Sequence, residues 1–335
     1  MHIYLDAMGG DHAPKSTVEG ALQALREYSQ LHIVLGGVVN DIQKGLEGRE
    51  YDKDRLEIDD CPELISNDES PVMAVRRKTN SAIVKGMLSL RDKKVDAFIS
   101  AGSTGAVLAG AMFRLGRIHG IERPAIAPLM PHGEGFFLLI DCGANVDCRP
   151  HHLEQFAYMG EAYMKSVMGI PKPRIGLINN GAEEEKGDEL RKQTYPLLKN
   201  SSLNFVGNVE ARYITANVAD VLVCDGFVGN VVLKFMEGLS RQLLGMIKTE
   251  LMSSPITKLG ALLAKPAFGS LKKKLDYKEV GGAPLLGVNG SVIKSHGSSD
   301  AKAIFSSFRQ AVKMVEADVP GLIKQYIESK EDTVQ

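Results

Sequence analysis

Residues 2–14 read HIYLDAMGGDHAP, and this stretch decides the fold class. A short apolar run of branched and aromatic residues is typical of a buried β-strand, and it passes directly into a glycine-rich turn. The same arrangement recurs along the chain at VDAFISAGSTGA (95–106), FFLLIDCGANVD (136–147), RIGLINNGAEEEKG (174–187) and VADVLVCDGFVGN (218–230). Most of these turns open into a helical pattern. Strands that alternate with helices predict an α/β protein with a mostly parallel sheet.

The glycine-rich turns are expected to meet at one place. Parallel strands bring their carboxyl ends to one edge of an open sheet, and ligands bind there. Glycine lets backbone N–H groups approach a ligand closely, and the N-terminus of a helix favours an anion. The sequence therefore predicts a crevice for a phosphate-like anion, built from most of the chain.

Composition limits the classes of protein that remain. The chain has 335 residues, of which 44% are hydrophobic and 24% charged, and this suits one large α/β unit. A formal net charge of -1 gives no general attraction to nucleic acid, so no nucleic-acid partner is expected. Cysteines at irregular spacing, without a CxxC pair, favour a reducing cytoplasm over a disulfide framework. Asp6 and Asp11 interrupt the apolar core that a signal peptide would need.

Two local signals predict antiparallel pairing. Residues 125–141 read as two strands joined by a turn at 133–135. Residues 285–294, LLGVNGSVIK, place Asn–Gly between two apolar runs, which is a strong hairpin signal. A last helix is expected to begin near Ser298 or Ser299, either of which could cap it.

One segment breaks the alternation of strands and helices. Residues 253–278 hold six lysines against one aspartate, so six minus one gives a local charge of +5. Apolar residues at helical spacing flank Pro266, and they include Ile256, Leu259, Leu263, Phe268 and Leu271. The pattern predicts two short basic amphipathic helices, inserted at about 251–278 into a single unit that spans 1–335. They suit an anionic membrane surface, the body of the protein or a dimer partner.

The motifs together resemble the bacterial phosphate acyltransferases, the acyl-ACP:phosphate transacylases of phospholipid synthesis. In chain order the motifs are DAMGGDHAP (6–14), SAGSTGA (100–106), DCGANVD (141–147), NNGAEEEKG (179–187), DGFVGN (225–230), GGAPLLGVNG (281–290) and SHGSS (295–299). The resemblance covers essentially the full chain. One departure is Ser103, where the family commonly has Asn.

The resemblance implies both a reaction and a fold. A fatty acyl group passes from the thioester of acyl carrier protein (ACP) to inorganic phosphate, giving acyl phosphate and free ACP. The fold implied is the three-layer, mostly parallel α/β fold of isocitrate/isopropylmalate dehydrogenases and phosphotransacetylases. The family is described as homodimeric, cytoplasmic and peripherally attached to the membrane, and no cofactor or metal is expected. The alternatives are a nicotinamide-dependent decarboxylating dehydrogenase, a short-chain phosphotransacetylase that uses coenzyme A, and a non-catalytic scaffold.

The reaction needs a site that holds phosphate and stabilises an oxyanion, because phosphate is already a nucleophile near neutral pH. The residues assigned to phosphate are Gly9, Gly10, Gly102, Ser103, Thr104 and Gly105. Lys186 is expected to neutralise phosphate, and Asn180 and Asn230 to donate to the oxyanion. His296 is expected to protonate the departing thiolate, with Asp225 to orient Lys186 or His296.

Supporting and docking roles complete the expected site. Residues expected to hold the turns by hydrogen bonds are Asp6, Asp11, Asp141, Asn145 and Asn179. Carrier protein is acidic, so its docking surface should be basic. The candidates are Arg76–Lys78, Arg114 with Arg117, and Lys272–Lys274. A metal site that uses His12, His151 or His152, and an acyl-cysteine intermediate, are weaker alternatives.

Overall fold

Two β-sheets carry the glycine-rich turns at the ends of their strands. The structure is a computed structural model that describes residues 1–133, 135–275 and 281–334, with side chains described for 1–133, 135–270 and 281–328. Within the described residues the strands are β1 (His2–Asp6), β2 (His32–Gly37), β3 (Leu56–Asp60), β4 (Ala97–Ser100), β5 (Ala125–Ile126), β6 (Leu129–His132), β7 (Gly135–Ile140), β8 (Arg174–Asn179), β9 (Asn204–Glu210), β10 (Val221–Val223), β11 (Ala283–Leu286) and β12 (Ser291–Lys294).

Helices cover the faces of both sheets. They are α1 (Lys15–Glu27), α2 (Val39–Leu46), α3 (Pro71–Arg77), α4 (Ala82–Arg91), α5 (Thr104–Gly110), α6 (Pro150–Ser166), α7 (Glu189–Lys199), α8 (Gly226–Leu251), α9 (Pro255–Leu275), α10 (Ala301–Glu316) and α11 (Val319–Val334). The chain alternates strand and helix through most of its length, as the sequence predicts.

The strand order explains where the turns meet. The first sheet runs β3-β2-β1-β4-β12-β11-β5 and the second runs β6-β7-β10-β8-β9. The strands β1, β4 and β12 lie side by side and parallel, so the turns that follow them share one edge. In the second sheet β7, β10 and β8 are parallel neighbours and bring three further turns to one edge. The sequence predicted a single sheet, and the structure has two.

The buried side chains join the two sheets. One continuous hydrophobic cluster includes Ile3 and Ile33 from the first sheet and Leu138 and Ile175 from the second. Strand β4 is buried along its whole length, which fits a central strand covered on both faces by helices. The α/β class with a mostly parallel sheet structure is therefore confirmed.

Both predicted antiparallel pairs are present. Strands β6 and β7 pair antiparallel, with His132 opposite Gly135, but the described residues of 125–141 hold three strands and not two, since β5 is separate and belongs to the first sheet. Strands β11 and β12 form the hairpin expected from 285–294, with β11 also pairing antiparallel to β5. The short β5 thereby closes one edge of the first sheet.

Two helix predictions are corrected. Residues 255–275 form one helix, α9, and not two helices divided at Pro266. A proline inside a helix removes one backbone hydrogen bond, but here the helix continues through Pro266, and α9 contacts α8. The last helical region holds two helices, and α10 is capped by Asp300, whose carboxylate accepts from the Ala303 amide at 3.0 Å. Neither Ser298 nor Ser299 is its cap.

Candidate active site

A row of polar side chains crosses three adjacent strands of the first sheet at their carboxyl ends. Ser100 on β4 is in register with Asp6 on β1 and with Lys294 on β12. The Ser100 hydroxyl donates to Asp6 Oδ2 at 2.7 Å and accepts from the Gly102 amide at 3.0 Å. The Lys294 ammonium donates to the Ser295 carbonyl oxygen. All three side chains are buried, so the row forms the floor of the edge where the turns converge.

Three glycine-rich turns close over this row. A Cβ at Gly9 would lie 2.6 Å from the Gly102 amide nitrogen, so the first two turns touch through their backbones. The Asp11 amide donates to the Gly297 carbonyl oxygen at 2.8 Å, which joins the first turn to the 295–299 turn. Gly10 has a φ of 101° and sits against Ala101. Glycine at these positions is required by close approach of separate chain segments.

The first cavity has a volume of about 450 Å³ and lies directly over the row. Its polar lining includes residues from all three turns, namely Gly9, Gly10, Gly102, Ser103, Thr104 and Gly297. Asp6, Asp11 and Glu63 also line it. Gly105, which was assigned to phosphate with these residues, packs against Pro71 at the start of α3 and is not part of the lining.

A second cavity of about 340 Å³ adjoins the first. Thr104 and Lys294 line both cavities. One wall of the second cavity is apolar and consists of Ile126, Pro128, Leu129, Met130 and Leu233. Asn230 and His296 also line this cavity, so two of the predicted catalytic side chains stand beside the junction.

Hydrogen bonds suggest the proton position on His296. The Ser298 amide donates to His296 Nδ1 at 3.2 Å, so this nitrogen acts as an acceptor. In the neutral imidazole the proton is then on Nε2. Nε2 lies 4.0 Å from Glu237 Oε2, and the side chain is 52% exposed. This tautomer can donate a hydrogen bond into the second cavity, and the protonated imidazolium is the form that can act as a general acid there.

The 141–147 turn is held by one buried carboxylate. Asp141 accepts from the amides of Ile126 and Ala144 through Oδ1, at 2.9 and 3.2 Å. Through Oδ2 it accepts from the Asn145 amide and side chain at 2.7 and 3.0 Å. Burial nevertheless raises the pKa of Asp141 to about 6. Asp141 and Asn145 are therefore supporting residues, and the nearby Cys142 and Gly143 line the second cavity.

Asp225 caps the long helix α8. Its Oδ1 accepts from the amides of Phe227 and Val228, both at 3.0 Å. Its Oδ2 pairs with the buried guanidinium of Arg191. Both oxygens are thus engaged in holding the helix, and Asp225 lines neither cavity. The catalytic role of Asp225 stays a prediction, and the contacts observed here are ones that hold the start of α8.

The 179–187 turn lies outside the crevice. Asn179 closes it, since its side chain accepts from the Asn180 amide at 2.8 Å and donates to the Lys186 carbonyl at 3.0 Å. Asn180 and Lys186 are exposed and line neither cavity. The structure therefore brings together four of the five predicted turns and the 295–299 turn, but leaves these two candidates apart. Their roles stay predictions.

Lys294 is the residue that sequence reasoning missed. Burial lowers the pKa of Lys294 to about 8, and the nearby charges of Asp6 and Asp11 oppose this shift. Burial also raises the pKa of Asp6, despite the hydrogen bonds from Ser100 and Met8. One feature of the sequence could have identified Lys294: it is the last residue of an apolar strand, directly before the SHGSS motif. That position predicts the carboxyl edge of the sheet.

Two weaker alternatives can be judged on geometry. His151 and His152 both contact Glu122, with Nε2–Oε2 distances of 2.8 and 3.0 Å. The Arg149 amide donates to His152 Nδ1, which leaves the proton on Nε2 and disfavours that nitrogen as a metal ligand. Burial raises the pKa of Cys142 well above its ordinary value, so the thiol beside the second cavity is a poor nucleophile. No helix within the described residues is both long enough and apolar enough to cross a membrane.

The fold and the sequence have clear relatives. A phosphotransacetylase from Streptococcus pyogenes has a TM-score of 0.62 at 17% identity, covering 95% of this chain and 94% of that chain. EutD phosphotransacetylase from Staphylococcus aureus has a TM-score of 0.58 at 16% identity, covering 95% and 94%. At such identities the likeness shows the fold alone, which is that of the phosphotransacetylases.

Sequence relatives give the family. The family model described as "Fatty acid synthesis protein" matches residues 1–322. A phosphate acyltransferase from Clostridium tetani is 50% identical over 325 residues, covering 97% of each protein. Another, from Clostridium perfringens strain SM101, is 50% identical over 331 residues, covering 98% of each. The chain belongs to the phosphate acyltransferase family, and it is an acyltransferase of lipid biosynthesis. The dehydrogenase alternative is not favoured.

Proposed function

We propose that the protein transfers a fatty acyl group from the thioester of ACP to inorganic phosphate. One observation carries the proposal: a polar cavity and a cavity with an apolar wall meet at Thr104 and Lys294. The two substrates match these cavities, because phosphate is a small anion and the fatty acyl group is an apolar chain. Two adjoining cavities of matching character allow both to reach a common point.

The residues at the junction suit the chemistry. Phosphate is proposed to sit against Gly102, Ser103 and Thr104, which line the first cavity and include two hydroxyl donors. The thioester is proposed to lie in the second cavity with its chain along the apolar wall. There Asn230 can donate to the developing oxyanion, and the Nε2–H of His296 can donate a hydrogen bond to the departing sulfur as its negative charge develops.

The test is phosphate-dependent release of free thiol from acyl-ACP, with acyl phosphate measured as the second product. Wild-type protein is expected to need both substrates, and acyl-CoA of short chain length is expected to react poorly. A preference for short acyl-CoA would favour the phosphotransacetylase alternative, and no acyl phosphate at all would favour the scaffold. The same assay on Lys186→Ala tests the predicted role of Lys186. That role requires the variant to fold and to lose turnover.

The hairpin formed by α8 and α9 supports a further part of the proposal, peripheral membrane attachment and a homodimer. Ile256, Leu263 and Leu259 are 83%, 78% and 61% exposed, so this face of α9 is not packed on the body. Phe268 is half-buried, and the side chains of Leu271 and of Lys272–Lys274 are not among those that the structure describes. A contiguous exposed apolar face marks a membrane or protein interface. An anionic membrane is proposed for α9.

Helix α8 also carries an apolar stripe that is largely exposed. Phe235, Leu239, Leu243 and Ile247 are solvent-accessible, and a Cβ at Gly238 would meet nothing within 4 Å. A second copy of the chain could bury this stripe, as in other helix pairs with apolar seams. The proposed homodimer therefore uses α8, and sedimentation velocity with Phe235→Glu tests it.

A further inference from the structure

The junction of the two cavities holds one buried cation whose role is not assigned above. Among the described residues that line the first cavity, Lys294 is the only basic side chain, and it lies near the carboxylates of Asp6 and Asp11, while Glu63 also lines the cavity. It also lines the second cavity, where Lys234 and His296 are the other basic side chains. A dianion that enters this acidic surrounding must be compensated locally, because buried like charges repel strongly.

The position of Lys294 is fixed by the sheet. It ends β12, which lies between β4 and β11, and it is in register with Ser100, the partner of Asp6. Its ammonium already donates to the Ser295 carbonyl, and two further N–H groups remain on an ammonium for ligands. A side chain held by a central strand keeps its place better than one on a mobile turn.

We infer that Lys294 is a catalytic residue of the proposed reaction, holding the phosphate and the thioester carbonyl oxygen together at the junction of the cavities. This inference rests on the proposed function. One N–H of the ammonium contacts a phosphate oxygen, and another contacts the carbonyl oxygen as it gains negative charge. The same cation thus binds the nucleophile and stabilises the tetrahedral intermediate.

The bonds and protons balance without any further reactant. A phosphate oxygen forms a C–O bond with the carbonyl carbon, and the carbonyl electron pair moves to its oxygen. The intermediate then collapses, the C–S bond breaks, and its electron pair leaves on sulfur. Monohydrogen phosphate gives up one proton and the thiolate takes up one, so the products are acyl phosphate and the free thiol.

Lys294 must be protonated for this role, and burial brings its pKa to about 8. Because the pKa is lowered, the charged form decreases as the pH rises through about 8, and activity should fall there. An arginine at this position would keep its charge over the same range, since its pKa is above about 12. The two side chains therefore predict different pH profiles.

The test measures kcat and KM for phosphate with saturating acyl-ACP, from pH 6.5 to 9.5, in wild type, K294M, K294A and K294R. K294M and K294A should lose at least about 100-fold in kcat/KM for phosphate while keeping the circular dichroism spectrum of wild type. Ethylammonium should restore part of the K294A activity. K294R should keep measurable activity and lose the decline above pH 8. K94M, at the opposite edge of the sheet, is the matched control.

The outcomes separate the inference from the proposed function. A folded K294M with wild-type kcat/KM overturns the inference while the function stands. Activity loss that ethylammonium does not restore, together with an unchanged alkaline decline in K294R, also overturns it, since that result describes a purely structural lysine. Should K294M fail to fold, the K294R pH profile decides by the same criterion. Wild-type protein that forms no acyl phosphate overturns the proposed function itself.

Discussion

At the scale of single residues, the 141–147 turn and the start of α8 approach each other so closely that some positions leave no room for a side chain. Gly229, in the first turn of α8, lies against the backbone of Asp141, and a Cβ there would stand 1.9 Å from the Asp141 carbonyl oxygen. Gly226 donates from its amide to the Asn145 carbonyl at 2.7 Å. The helix that lines the second cavity is therefore joined to the 141–147 turn by close backbone contacts.

Gly229→Ala should destabilise the protein by about 1–3 kcal/mol, because the added methyl forces backbone to move. The free energy of unfolding from urea titration measures the effect. Gly238→Ala on the same helix is the control, as a Cβ there meets nothing within 4 Å. Replacing an exposed helical glycine by alanine should stabilise by up to about 1 kcal/mol. Equal changes in the free energy of unfolding for the two substitutions would contradict a steric role for the contact between Gly229 and the Asp141 backbone.

Residue roles were only partly predictable from sequence. Gly9, Gly102 and Thr104 could be assigned to the crevice, because each follows a strand whose carboxyl end is recognisable. Lys294 was missed because it ends the second strand of a hairpin, and the sequence does not say that this strand inserts beside β4. Lys186 was favoured for its motif, yet its turn lies on the second sheet and outside both cavities.

At the scale of elements, α3 stands at the rim of the first cavity. Residues 64–67, just before it, and Ser81, just after it, line that cavity, and Pro71 contacts Gly105. Arg76 and Arg77 are exposed at its end. The other candidates for carrier docking are more engaged or lie outside the described side chains: Lys78 pairs with Glu69, and Arg114 donates to the Val75 carbonyl at 2.9 Å.

Arg76→Glu with Arg77→Glu should raise KM for acyl-ACP by about 10-fold or more at low salt, with little change in kcat, because rim charges mainly affect association. Steady-state kinetics at two ionic strengths measure this, and the difference should shrink as salt rises. Lys93→Glu with Lys94→Glu, before β4 at the opposite edge, makes the same change in charge elsewhere. An equal rise of KM in that control would mean that overall charge, and not α3, recruits the carrier.

Elements were predicted better than their arrangement. The strands β2 and β8 and the hairpin of β11 and β12 matched their sequence patterns closely, since alternation and turn residues are local signals. The division into two sheets was not predictable, because pairing between distant strands leaves no mark in a single sequence. The continuity of α9 through Pro266 was missed because proline usually ends or kinks a helix, and the sequence alone does not show that this helix continues.

At the scale of the whole molecule, the hairpin of α8 and α9 gives the protein an exposed apolar face. Leu259→Glu with Leu263→Glu should reduce sedimentation with anionic vesicles and leave turnover of soluble acyl-ACP intact. The loss follows from placing two carboxylates where apolar side chains would enter the interface. Val206→Glu with Leu322→Glu, both exposed outside the hairpin, is the control. Full sedimentation of the first variant would instead favour a protein partner for this face.

The placement of β12 between β4 and β11 has a consequence for how activity arises during synthesis. The other strands of that sheet all precede β12 in the chain, so β12 supplies Lys294 only after every one of them has been made. Until then β4 and β5 have no strand between them, and the polar row lacks its cation. Closing so long a loop is slow, so a nascent chain should acquire its catalytic competence in one late step.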